Sequence, residues 1–182
     1  MKKLTAIILS LALVLCAVSA LADNMFTTKY YSVELPEGWE TDTENLEEES
    51  EENSEALGAF GSPDEIGLVV CSYLDYYEDL KDISLWNSDA DELQAYAEAV
   101  MEDFEEDHPV YLGTFKAGDV PFVLIKAANE EGEYLYADTI TNGYAVVFIA
   151  YVTDYDGEKL YPVTDEYAEQ LKTILATFKP AA

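Results

Sequence analysis

The sequence predicts an α+β fold built on an antiparallel sheet covered on both faces by helices or loops. Three observations carry this. Asn142-Gly143 sits between two apolar runs, and a two-residue type I′ hairpin needs positive φ at both turn positions, which this pair tolerates best. The run that follows, 144–152, carries no polar residue on either face, so a strand there must be covered on both sides. Finally, Leu93, Tyr96, Ala97, Val100, Met101 and Phe104 recur at helical spacing, which defines one apolar stripe of an amphipathic helix.

In chain order, residues 1–22 read as an address. Lys2 and Lys3 precede an apolar run from Leu4 to Val18, and Ala20 and Ala22 form an A-x-A pattern before Asp23. This is the layout of a secretory signal peptide cleaved after Ala22. The apolar run is shorter than the ~20 residues a membrane-spanning helix needs. Cys16 follows Leu15 where a lipoprotein signal wants a small residue, so it reads as part of the apolar stretch. The expected product is a secreted or extracytoplasmic single domain, 23–182, with no stable membrane insertion after cleavage.

The mature chain opens with a half-buried strand over 26–36, with Tyr31, Val33 and Leu35 on one face and Ser32 and Glu34 on the other. An acidic, solvated loop is expected at about 37–55, because that stretch holds ten acids and no lysine. A hairpin follows, 56–60 and 66–73, around the turn cluster Gly61-Ser62-Pro63-Asp64. A linker over 74–87 leads to the helix, which Ser88 or Asp89 can cap, with Asp91 and Glu92 at the positive end of its dipole. Pro109 marks its exit. Strands are predicted over 110–115, 120–127, 134–140 and 144–152, and a closing helix over 164–178 with Tyr167, Leu171, Ile174, Leu175 and Phe178 on its apolar side.

Charge excludes several partners. The chain holds 38 acids, nine lysines and no arginine, a net charge of −29. Loss of residues 1–22 leaves seven lysines against the same 38 acids, or −31. Nucleic acid is excluded as a partner, since phosphate backbones are held by basic surfaces. Anionic membranes are disfavoured on the same ground. Without arginine the chain cannot form a bidentate guanidinium clamp for phosphate or carboxylate ligands. Hydrophobic residues still make up 49% of the sequence, enough for a core that acidic disordered tails lack.

Tests for chemistry return no catalytic constellation and no cofactor-binding motif. Cys71 is the one cysteine of the mature chain and His108 the one histidine, so no intramolecular disulfide is expected there. Cys71 lies in an apolar strand, where a free cysteine acts as a small hydrophobe, which disfavours a Cys71–His108 dyad. Zinc lacks ligands. Calcium takes oxygen ligands, and Asp154-Tyr155-Asp156-Gly157-Glu158 is the local candidate, but its glycine and Lys159 break the EF-hand pattern. An acidic turn is the plainer reading, with weak divalent cation binding as the alternative. Tyr73, Tyr76 and Tyr77 cluster after the second hairpin strand, where they serve either sheet packing or recognition.

The outline of elements resembles the Mog1/PsbP-like domains, which include exported bacterial members whose function is not known. The residues that carry the resemblance are Leu35-Pro36-Glu37-Gly38-Trp39 at the end of the opening strand and Ala176-Thr177-Phe178-Lys179 at the end of the last helix. It spans most of 26–180. It implies a three-layer α/β/α sandwich around a central antiparallel sheet, used as a binding or accessory module. No site residues come with it. The expected function is therefore a non-enzymatic exported module with a macromolecular or envelope partner. The alternatives are a small extracellular hydrolase using carboxylate acid/base chemistry and a weak calcium-binding module.

Overall fold

Alternation and turn chemistry set the strands, and the computed structural model describes them over residues 24–42, 53–154, 157 and 159–181. The expected signal peptide and the centre of the acidic stretch lie outside the described residues. The strands are β1 (Met25–Thr27), β2 (Tyr31–Glu34), β3 (Glu40–Asp42), β4 (Ser54–Gly61), β5 (Ile66–Tyr76), β6 (Val110–Ala117), β7 (Val120–Ala128), β8 (Glu133–Thr141), β9 (Tyr144–Asp154), β10 (Leu160–Tyr161) and β11 (Lys179–Pro180). The helices are α1 (Ala90–Asp103) and α2 (Asp165–Leu175). The larger sheet runs β3-β4-β5-β9-β8-β7-β6 with β10 beside β9, and a smaller one runs β1-β2-β11. Every pairing is antiparallel. An α+β architecture on antiparallel sheets is thus what forms.

The β8–β9 hairpin closes as its sequence requires. Asn142 and Gly143 have φ of 53° and 80°, and Thr141 pairs with Tyr144. That turn fixes the register through which β9 pairs with β8 on one side and β5 on the other. Because the side-chain period is two, each strand sends alternate residues to opposite faces. One face carries Phe122, Leu124, Leu135, Phe148, Ala150, Leu68 and Val70, packed with Leu171, Ile174, Leu175 and Phe178 from α2 and with Phe26, Tyr31 and Val33 from the smaller sheet. On the opposite face, Ile140, Ala145 and Val147 pack with Leu85 and Leu93.

The helix caps follow from residue chemistry. Asp89 Oδ1 accepts from the backbone N–H groups of Asp91 and Glu92, and Glu92 Oε2 accepts from the N–H of Asp89, each at 3.0 Å. This reciprocal capping box satisfies donors that a helix start otherwise leaves open. The closing helix ends at Leu175, before Phe178. Phe178 instead stacks on Tyr31 at 5.0 Å and meets Phe122 edge-on at 5.2 Å.

Besides the closing helix, two predicted spans differ. The strand expected over 26–36 is broken in two, because Thr28 Oγ1 accepts from the N–H groups of Tyr30 and Tyr31 and turns the chain between β1 and β2. Tyr31, Val33 and Leu35 nonetheless share a buried face as the alternation predicts. The acidic stretch is strand at both ends: β3 pairs Asp42 with Ala59, and β4 begins at Ser54. Glu55 is fixed there by Lys29 at 2.7 Å and the Tyr30 hydroxyl at 3.0 Å.

The two motifs behind the family resemblance meet at β2. Trp39 donates its N–H to the Pro36 carbonyl at 3.3 Å across a turn whose Gly38 has φ of 84°. Thr177 Oγ1 accepts the Glu34 N–H at 2.7 Å, and Lys179 pairs with Ser32.

Candidate functional site

The sequence candidates scatter. Cys71 is buried in the middle of β5, while His108 is exposed just ahead of β6. In the sheet order β9, β8 and β7 lie between those strands, a span of four strand spacings or ~19 Å. No Cys71–His108 dyad forms. Asp154 holds its own turn together, its Oδ1 accepting from the Lys159 N–H at 3.2 Å and its carbonyl from the Gly157 N–H at 2.9 Å. Residues 155, 156 and 158 of that acidic run lie outside the described residues. Among the described residues, no three Asp, Glu, His or Cys side chains converge to hold a metal ion.

A carboxylate does become chemically unusual, at a position the sequence gives little reason to single out. Tyr134, Tyr136, Asp138 and Ile140 alternate onto the β8 face that looks toward α1, so Asp138 is carried inward with them. It is 1% exposed, and Oδ2 accepts from the Tyr96 hydroxyl of α1 at 2.5 Å. Burial pushes its carboxyl up to about 7, with the Asp75 charge adding to the rise; the Tyr96 and Tyr136 hydroxyls oppose it by favouring the ionised form. Burial raises the phenols of Tyr96 and Tyr136 in turn, and Asp138 adds to both. A raised carboxylic acid could serve as a general acid, but substrate would have to reach it, and helix α1 covers it. The shallow cleft lined by Glu40, Ser62, Asp64, Thr153 and Asp154 lies elsewhere.

A second cluster faces solvent. The β8–β9 turn packs against the segment after β5: Tyr77 donates its N–H to the Gly143 carbonyl and Asn142 donates to the Ile83 carbonyl, both at 2.8 Å. Only glycine fits at 143, since a Cβ there would sit 2.8 Å from the Tyr77 carbonyl oxygen. These bonds hold Tyr76, Tyr77, Ile83 and Tyr144 at one end of the sheet, with Tyr76 opposite Tyr144 on one face and Tyr77 turned to the other, toward Asp75 and Asp138. Tyr77 is 39% exposed, Ile83 41% and Tyr144 50%, and the rings of Tyr76 and Tyr144 lie 4.8 Å apart. Two of the tyrosine hydroxyls are engaged locally, Tyr76 with Glu78 at 2.6 Å and Tyr77 with Asp75 at 3.3 Å.

Of the predicted tyrosine cluster, then, Tyr76 and Tyr77 reach this end, while Tyr73 packs beside Ala59 and Cys71. Tyr144 departs from expectation: the strand it opens is covered on both sides for most of its length, but its first residue is exposed. The signal for it was the turn itself, since a residue directly after a hairpin turn stands at the sheet's rim.

In overall structure the chain is similar to cyanobacterial PsbP (CyanoP) from Synechocystis sp. PCC 6803, with 12% sequence identity, a TM-score of 0.47, and coverage of 91% of this chain and 98% of that one. No protein-family model and no curated protein matches the sequence.

Proposed function

We propose that this chain is an exported, acidic binding or accessory module of the cell envelope or extracellular space, of the Mog1/PsbP-like kind, acting without catalysis. In this reading residues 1–22 direct export and 23–182 form the working domain. Its layers are α1, the larger sheet, and α2 with the smaller sheet, an α/β/α sandwich. The observation that carries the reading is the ring pair of the half-buried Tyr76 and the exposed Tyr144 at the end of the sheet. Tyrosine is enriched where proteins meet partners, because a large rigid ring covers area at low entropic cost. Among the described residues the carboxylate pushed furthest up, Asp138, is 1% exposed and bonded to the Tyr96 hydroxyl, which favours this reading over a carboxylate hydrolase.

The test is site-specific photocrosslinking in the exporting cell. A crosslinker at Tyr76 or Tyr144 should give a discrete high-mass adduct in the envelope or medium, and one at the remote exposed Val110 should give none. Equal adducts from all three positions, or none from any, would overturn the proposal. N-terminal sequencing of the same material should begin at Asp23.

A further inference from the structure

We infer that Asp138 and Tyr96 form a proton-operated latch on helix α1. With Asp138 protonated the helix lies against the sheet; with Asp138 ionised it lifts away while the sheets stay folded. The first reason is the setting of the carboxyl. Asp138 is 1% exposed, and its bond to the Tyr96 hydroxyl ties β8 directly to α1. Among the described residues no lysine pairs with it, since the ion pairs lie at Glu34, Glu55, Glu78, Glu133 and Glu169. A buried carboxylate without a cation is costly, so burial of this kind favours the neutral acid.

The neighbours from each packed element point the same way. β7 and β9 place Val123 and Val147 opposite Asp138 in register, and neither can compensate a charge. Tyr136 comes from β8 itself, Asp75 from β5, Tyr77 from the segment after it, and Tyr96 and Asp103 from α1. The phenols can donate to a carboxylate, whereas the two acids repel one. Helix α1 also carries Asp91, Glu92, Glu98 and Glu102 and no lysine, so an ionised Asp138 lies beneath a helix of its own sign.

The second reason is how lightly α1 is held. It buries only Leu93 and Ala97 of its fourteen residues, whereas α2 buries Ala168, Leu171, Ile174 and Leu175 of eleven. Its last turn has no base to meet the negative end of the helix dipole. Elements with few buried contacts open at the lowest free energies, so a titration beneath this helix acts where the fold has least to spare. Lifting it would bare Ile140 and Val147, which pack with Leu93. The freed carboxyl would return to its ordinary 3.8, so opening grows easier from there up to about pH 7 and levels off above it.

Native-state hydrogen exchange of the full chain reads this directly, with rates corrected for their intrinsic pH dependence. Amides of α1 should be less protected than those of β9 at both pH 5 and pH 8.5. Their protection should fall on the order of a hundredfold between the two. Sub-denaturing urea should add little to their exchange, as expected of a local opening. Asp138→Asn, neutral at both values, should hold α1 nearly level, and His108→Gln, at the chain's single histidine, should leave the fall in place. Exchange of α1 in step with β9, with the same urea dependence, would mean that the helix leaves only when the whole domain unfolds, and that overturns the latch. So does α1 protection unchanged by pH, a fall that survives in Asp138→Asn, or one abolished in His108→Gln. Because α1 and β9 are compared within the parent chain, a variant that fails to fold still leaves the outcome decided.

Discussion

The Tyr96 hydroxyl of α1 donates to Oδ2 of Asp138 on β8 at 2.5 Å, joining helix to sheet through a carboxylate that solvent does not reach. Asp75 and Tyr136 act on the titration of Asp138, and Tyr77 on that of Tyr96. This arrangement should make the attachment of α1 responsive to pH.

The sign follows from proton uptake. Burial raises the Asp138 carboxyl from 3.8 to about 7 in the folded chain, so between those values the folded state holds more protons than the unfolded one. The stabilising contribution is complete below the unfolded value and is lost as pH climbs through the folded one. Moving from about pH 5 to pH 8.5 should cost on the order of 2–3 kcal/mol at this residue. Ionisation of an acidic chain adds self-repulsion in the same direction, so urea unfolding of Asp138→Asn is the control. The variant should lose most of the extra slope, and identical slopes in both proteins would refute the assignment.

Tyr96→Phe should separate the donor from the carboxylate. Because the Tyr96 hydroxyl favours the ionised form, its removal moves the Asp138 carboxyl further up. The loss should be roughly 1–3 kcal/mol where Asp138 is ionised and clearly smaller at acid pH, where the group is neutral. Denaturation midpoints at the two pH values read this directly, and a pH-independent loss would mean that Tyr96 acts through packing alone.

Asp89→Ala should remove the capping box of α1, leaving the N–H groups of Asp91 and Glu92 without their acceptor. The expected cost is about 1 kcal/mol. Asp89→Asn, which keeps an acceptor oxygen, should recover most of it in thermal melts. Equal losses in both variants would show that the charge at the helix dipole matters more than the cap.

How far the sequence could be read depends on the range of the forces involved. Local signals sufficed for the Asn142-Gly143 hairpin, the Asp89 cap and the stripe from Leu93 to Phe104, since each is decided within a few residues of chain. The pairing of β2 with β11 was out of reach, because it depends on a contact between residues such as Ser32 and Lys179 at opposite ends of the domain. The break between β1 and β2 turned on one hydroxyl, Thr28, competing with strand hydrogen bonds. Asp138 shows the limit for sites. Its inward position follows from alternation with Tyr134 and Tyr136, but its weakened acidity comes from burial and from the Asp75 charge on β5, which sequence spacing does not place beside it. Tyr76 and Tyr77 were visible as a cluster, whereas Ile83 and Tyr144 joined them only through the turn that brings segment 77–83 against Gly143.

Gly58→Ala should be the most damaging of these substitutions on the larger sheet. Gly58 sits at the β4 bulge, where the register with β5 shifts after Ala56, and its φ of 138° is a conformation that side-chain-bearing residues rarely adopt. An added Cβ would also lie 2.7 Å from Phe26 Cζ and 2.8 Å from the Asp42 carbonyl oxygen. One clash is with a ring of the smaller sheet and the other with the backbone of β3, so β4 can retreat from neither without loosening a neighbour. The expected loss is roughly 2–4 kcal/mol. Adding Phe26→Leu relieves the ring contact but neither the backbone clash nor the positive φ, so the double variant should recover less than half of the loss caused by Gly58→Ala alone. Full recovery in urea unfolding would locate the whole penalty at Phe26. A Gly58→Ala protein as stable as the parent would mean that β4 does not need the bulge at all.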